Sequence, residues 1–173
     1  MTLPFNIPDK TDPRWTRHDG VYVRKAEGTV KWNAGDEYTI KVTAGQTGGS
    51  LGFVTGTIPP GGGPEAHAHA KEDEAFYLLS GELEFLNGDQ VFTADAGDFV
   101  FIPRGNRHRF KNTGATSAEL LFLFTPGGQE GFFLETGDDV VPGKTPEPWS
   151  PERYTRVGEL IELYGNTLLP EDS

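Results

Sequence analysis

Tyr38, Ile40 and Val42 alternate with Thr39, Lys41 and Thr43, the period of a strand that buries one face. Short apolar runs of similar length recur along the chain and predict further strands over residues 21–25, 29–32, 37–43, 51–58, 75–79, 82–86, 90–94, 99–102, 107–111 and 118–124. The breaks between them carry turn chemistry. Gly28, Gly35 and Gly45 punctuate the first strands, residues 46–50 read as a glycine-rich loop, and Pro103-Arg104-Gly105 reads as a tight turn. Asn87-Gly88-Asp89 between two runs is a hairpin signal, because Asn-Gly accepts the positive φ of the favoured turn. The segment Pro59-Pro60-Gly61-Gly62-Gly63-Pro64 cannot be regular structure, and is expected to be flexible enough to approach or close over a ligand. Residues 118–124 are almost continuously apolar and are expected to be covered on both faces.

Only the tail changes period. Ser150 and Pro151 are a cap and a first helical residue, and Trp149 is placed to staple against Tyr154. Tyr154, Val157, Leu160, Ile161 and Tyr164 then recur at helical spacing, and Gly165 can end the helix in a left-handed cap. This predicts one amphipathic helix of about four turns. Its polar face is not basic, so it reads as a cover for the strands or a subunit contact. At the other end, Pro4, Pro8 and Pro13 make residues 1–20 an extended arm, whose Phe5 and Ile7 are candidates to dock on the body or on a second subunit. The expected organisation is therefore an arm over 1–20, an all-β body over 21–136 and a loop with a helix over 137–173, within one domain.

Composition narrows the function classes. With 23 glycines and 13 prolines in 173 residues, many short strands with tight turns are the natural reading. A net charge of −11 lacks the basic footprint that nucleic acid requires. The chain has no cysteine, so no disulfide framework organises it. The opening residues show no apolar core of signal-peptide length, and the clearest apolar run, 120–124, is too short to span a bilayer. A soluble cytoplasmic protein without nucleic-acid or membrane partners is expected.

The chemistry is concentrated in residues 61–112, which hold three of the four histidines. His18, the fourth, sits between Arg17 and Asp19 and is assigned no role. His67 and His69 are two apart, so on a strand both imidazoles share a face. Glu74 follows a polar turn and opens the next apolar run, and His108 follows the proline and glycine turn. Three imidazoles and a carboxylate suit a divalent first-row metal and leave coordination positions open. Glu72 is the alternative carboxylate if the intervening turn is shorter.

Gly61, His67, His69, Glu74 and Gly81 fall on G-x5-H-x-H-x4-E-x6-G, and Gly97, Pro103, Gly105, His108 and Asn112 fall on G-x5-P-x-G-x2-H-x3-N. In both motifs the chain resembles the cupin superfamily, which implies a jelly-roll barrel of two antiparallel sheets. The wider pattern, from Trp32-Asn33-Ala34-Gly35 through Glu72-Asp73-Glu74-Ala75 to Thr125-Pro126-Gly127-Gly128, resembles the single-domain quercetin 2,3-dioxygenase-like cupins. That resemblance implies a divalent iron, manganese, nickel, cobalt or zinc ion on His67, His69, Glu74 and His108. It further implies a flavonol-like substrate with O2, and Glu74 as the base that takes the hydroxyl proton. Phe76, Tyr77, Phe110, Phe122, Phe124 and Phe132 are candidates to wall a flat aromatic, and equally to fill a small barrel. Because one fold serves many reactions, the competing expectations are a non-redox cyclase, lyase or isomerase, in which Glu74 or Tyr77 moves a proton, and a binding protein without turnover. The resemblance and the need to cover sheet edges suggest a homodimer.

Overall fold

The computed structural model describes residues 9–171. In chain order the strands are β1 (Thr29–Asn33), β2 (Asp36–Val42), β3 (Gly52–Ile58), β4 (His67–His69), β5 (Asp73–Ser80) and β6 (Glu82–Asn87). They continue with β7 (Gln90–Asp95), β8 (Phe99–Ile102), β9 (His108–Lys111), β10 (Ala118–Thr125), β11 (Asp138–Asp139) and β12 (Asn166–Leu168). Three helices are interspersed, α1 (Ala44–Thr47), α2 (Glu130–Thr136) and α3 (Pro151–Leu163). The strands form a seven-stranded sheet, β11-β1-β2-β3-β10-β5-β8, and a five-stranded sheet, β12-β4-β9-β6-β7, with every pairing antiparallel. This is the jelly-roll sandwich with a C-terminal helix that the strand spacing and the motif resemblance implied.

Alternation decides what enters the space between the sheets. On β10, Ala118, Leu120, Phe122 and Phe124 are buried, whereas Leu121 and Leu123 are only half-buried. The expectation that both faces of this strand are covered therefore fails: one face packs the core and the other carries the surplus leucines. Phe122 meets Phe76 at 5.4 Å, Phe110 at 5.6 Å and Tyr38 at 5.6 Å between ring centroids. Burying each such ring contributes about 1.5–3 kcal/mol. Gly56 on β3 makes room for this cluster, because a Cβ there would stand 2.6 Å from the Phe122 ring.

Several local expectations are corrected. Residues 21–25 form no strand and are mostly exposed, since they gain no strand partner. The 46–50 loop begins inside α1, where Gln46 Oε1 accepts from the Thr43 backbone N–H at 2.9 Å. In the hairpin Asn87 pairs with Gln90, so the turn is centred on Gly88-Asp89 rather than Asn87-Gly88. The 59–64 segment is pinned rather than loose. Gly61 N–H donates to Asn112 O at 2.8 Å, Asn112 N–H donates to Gly62 O at 2.9 Å, and the Asn112 amide donates to Ile58 O at 2.7 Å. Gly63 adopts φ +124°, and a Cβ there would lie 2.2 Å from Phe110 O, so only glycine lets the loop lie against β9.

The tail follows its capping signals. Ser150 Oγ accepts from the Arg153 backbone N–H, Trp149 and Tyr154 meet edge to face at 5.4 Å, and α3 buries Val157 and Ile161. After Gly165, at φ +80°, β12 adds to β4. Residues 9–20 carry one short 3-10 turn, Pro13–Trp15, while Phe5 and Ile7 lie outside the described residues. Among the described residues no helix is long and apolar enough to cross a membrane.

Candidate metal centre

β4 and β9 are antiparallel neighbours with His67 opposite His108. The two-residue spacing puts His69 beside His67, and the three rings stand 4.5 to 5.1 Å apart. Glu74 reaches the cluster from β5 in the other sheet, where it pairs with Ile102 and Phe124. Its Oε2 lies 3.0 Å from His69 Nε2 and 2.9 Å from His108 Nε2. One ligand atom from each of His67, His69, Glu74 and His108 lies within 4.8 Å of the others. The turns that carry these residues are tied together. Arg104 clamps Asp73 through Nε at 3.0 Å and Nη2 at 2.9 Å, and Gly105 N–H donates to His69 O at 2.7 Å. The clamp holds the Asp73 carboxyl down to about 2.

The outer nitrogens decide what the inner ones can do. His67 Nδ1 faces Glu65 O at 2.7 Å, His108 Nδ1 faces Asn106 O at 2.9 Å, and His69 Nδ1 faces Asn166 Oδ1 at 2.6 Å. Each partner is an oxygen that only accepts, so each Nδ1 carries the proton and each Nε2 offers a lone pair to the centre. Lone pairs and a carboxylate facing one another repel unless protons or a cation lie between them. A divalent cation satisfies all four, and its ligand set is that of a transition metal with open positions. Burial, with His108 and His69 nearby, pushes the His67 imidazole down to about 3, keeping it a neutral donor. Burial alone would raise the Glu74 carboxyl, but protons bridging from His108 and His69 Nε2 hold it well below the usual carboxylate range when no cation lies between them, and a cation takes the place of those protons.

Glu72 does not join the cluster. Its side chain turns toward Gly128, where an added Cβ would meet Oε1 at 2.9 Å, and burial raises its carboxyl. Tyr77 is not brought to the centre either. On β5 the buried positions are Glu74, Phe76 and Leu78, which sends Tyr77 to the opposite face, 41% exposed.

Beside the four ligands opens a cavity of about 90 Å3. Of the candidate aromatics Phe110, Phe122, Phe124 and Phe132 line it, whereas Phe76 is packed in the core and Tyr77 is outside. Tyr38, Phe133, Trp149 and Tyr154 complete the aromatic wall, and Asp36 and Gln129 also border it. Asp36 is buried with its Oδ2 accepting from the Tyr38 hydroxyl at 3.1 Å. Burial pushes its carboxyl up to about 7, the Tyr38 hydroxyl and the Gly63 backbone N–H drawing it weakly back. Asn166, Asp36 and Gln129 were not singled out by the sequence: each is isolated in its segment, and only the fold brings it to the site.

The Cupin domain family matches residues 54–124. The protein named Polyketide synthase CurC, from Streptomyces cyaneus, is 32% identical over 120 residues, which span 68% of this chain and 73% of that one. This chain is a cupin. The cupin is also 33% identical over 85 residues to Tetracenomycin polyketide synthase protein TcmJ of Streptomyces glaucescens, a match that covers 49% of this chain and only 55% of that relative. Among solved structures, a predicted oxalate decarboxylase from Thermotoga maritima superposes with a TM-score of 0.58 at 26% identity, over 61% of this chain and 99% of that one.

Proposed function

We propose that this cupin is a metal-dependent dioxygenase acting on a flat, enolisable aromatic small molecule. The observation that carries the reading is an aromatic-walled cavity bordered by three imidazoles and a buried carboxylate. A divalent metal held by His67, His69, Glu74 and His108 would lower the pKa of a coordinated enol or phenol oxygen. Glu74, kept ionised by that same cation, would be the carboxylate that takes the proton. The fixed Nδ1 protons keep the imidazoles aimed inward, and Phe110, Phe122, Phe124 and Phe132 hold a flat ring system and exclude water. Two relatives named as polyketide synthase proteins support the same substrate chemistry, because polyketides carry dicarbonyl units that enolise.

The cavity is smaller than the roughly 300–1,000 Å3 of usual small-molecule sites. A second hollow of about 490 Å3 shares Tyr154, Ile161, Asn166 and Leu168 with it. A polycyclic substrate therefore enters by displacing this C-terminal wall. The test is oxygen uptake by protein loaded separately with iron, manganese, nickel, cobalt or zinc, against a panel of flavonols and other enolisable phenols. Stoichiometric uptake, lost in Glu74→Gln, is expected. Anaerobic turnover of the same compounds, with no uptake under any metal, would replace the dioxygenase by a non-redox enzyme.

A further inference from the structure

β12 is three residues long and, among the described residues, has β4 as its one strand partner. A strand this short, paired along one edge, opens locally unless other contacts hold it. Its ladder is extended by Ala70 N–H donating to Gly165 O at 2.9 Å and Leu169 N–H donating to Ala66 O at 2.7 Å. Beyond the ladder, two arginines take hold of the chain. Arg107, just ahead of β9, and Arg109 on it flank His108, and strand parity sends both to the face opposite that imidazole. Arg107 donates from Nε to Leu169 O at 2.7 Å and from Nη2 to Pro170 O at 2.9 Å. Arg109 grips the Glu171 carboxylate twice, through Nε at 2.6 Å and Nη2 at 3.0 Å, and its Nη2 also meets Glu84 Oε1 at 2.8 Å. Arginines on the outside of a sheet are mostly exposed, yet Arg109 is only 8% exposed. A two-pronged arginine and carboxylate contact, charged on both sides, is among the stronger hydrogen-bonded pairs.

We infer that Arg109, together with Arg107, is a positioning residue for the metal centre: it clasps residues 169–171 so that β12 stays on β4 and Asn166 keeps hold of His69. The inference rests on the reading of His67, His69, Glu74 and His108 as metal ligands. Asn166 Oδ1 lies 2.6 Å from His69 Nδ1, and β12 sets that contact by pairing Asn166 with His69. His67 and His108 do not depend on β12 in this way, because their Nδ1 atoms face the backbone oxygens of Glu65 and Asn106. When the clasp opens, β12 leaves β4 and the Asn166 oxygen withdraws. The His69 proton is then free to sit on either ring nitrogen, and Nε2 no longer offers a fixed lone pair. Metal affinity falls in proportion to the fraction of molecules with β12 closed. Three consecutive residues thus serve the centre from both faces of one strand, His108 from within and the two arginines from outside.

The experiment titrates metal-stripped protein, as the whole chain, with cobalt. Glu171→Gln breaks the clasp at a side chain that is 43% exposed, and Arg109→Met breaks it from the strand side. Each is expected to weaken cobalt binding about tenfold, the lower end of what loss of an outer partner costs a metal-binding imidazole. The melting temperature of the metal-free Glu171→Gln protein should barely move, as suits a partly exposed ion pair. In zinc-loaded protein, nuclear magnetic resonance should show the His69 Nδ1 proton exchanging faster with water in Glu171→Gln, with those of His67 and His108 unchanged. In Asn166→Leu, which lacks the oxygen already, adding Glu171→Gln is expected to weaken cobalt binding no further. If Arg109→Met or Asn166→Leu fails to fold, Glu171→Gln and the His69 proton decide the matter. Cobalt binding in Glu171→Gln equal to native, or an equal further loss in the Asn166→Leu background, would overturn the inference and leave the metal centre standing. No cobalt bound by the native protein would overturn the metal centre and the inference with it.

Discussion

Asp36 is a carboxylate placed where water is scarce, and its titration exposes the cost. In the unfolded chain it would ionise near 3.8, whereas in the fold burial moves it up to about 7. Between those values the folded state holds a proton that the unfolded state has lost. Its contribution therefore turns against the fold as pH rises from about 4 to about 7, and stays unfavourable above. Asp36→Asn removes this dependence. Denaturant unfolding at pH 5 and pH 8 should show the variant gaining on the native protein by up to a few kcal/mol at the higher pH. Parallel pH profiles would mean the carboxyl is not desolvated. Residue identity in the cluster was legible because motif spacing fixes strand parity: His67 and His69 differ by two, and Glu74 opens the next strand. The same rule, applied to Glu74 and Tyr77, places them on opposite faces, since three is odd. Asp36 was not legible, because an acidic residue after Ala34-Gly35 reads as a turn charge until the fold encloses it.

At the scale of elements, β12 has the clearest consequence for the site. It pairs with β4 in the register Asn166 to His69 and Leu168 to His67, and it supplies the oxygen that holds His69 Nδ1. Outer partners of this kind orient a metal-binding imidazole and fix its tautomer. Asn166→Leu is expected to weaken metal affinity by about 10–100-fold with little loss of melting temperature. Competition with a coloured chelator measures this directly. Unchanged affinity would show that β4 alone orients the ring. The helix α3 was readable from its cap, its staple and its apolar spacing, all local signals. By contrast β12 is three residues whose strand conformation depends on β4 nearly 100 positions earlier, and α2 is two turns with no cap hydrogen bond from a side chain. Neither carries enough local pattern to predict.

For the whole molecule, an exposed apolar face stands out on the outer side of the larger sheet. Tyr77 pairs with Phe99 and Ala75 with Phe101 at the edge strand β8, with Leu79 alongside, and Phe99 and Phe101 are 63% and 51% exposed. In a chain of net charge −11, two copies repel wherever acidic surface meets acidic surface, so an uncharged face is where they can approach. We propose that pairing there would give the homodimer expected from the sequence, with Tyr77 in the contact rather than in the site. Light scattering should give the mass of two chains for the native protein and one chain for Phe99→Glu with Phe101→Glu. A native mass of one chain would remove the association.

The central claim is that these four residues make one metal centre. Its most direct test is a titration of metal-stripped protein with manganese, cobalt and zinc, read as bound ion per chain. The account predicts one ion per chain in the native protein and in Glu72→Gln, and none retained at micromolar metal in Glu74→Gln or His108→Ala, with all variants folded. Full binding in Glu74→Gln and His108→Ala, or no stoichiometric binding in the native protein, would contradict it.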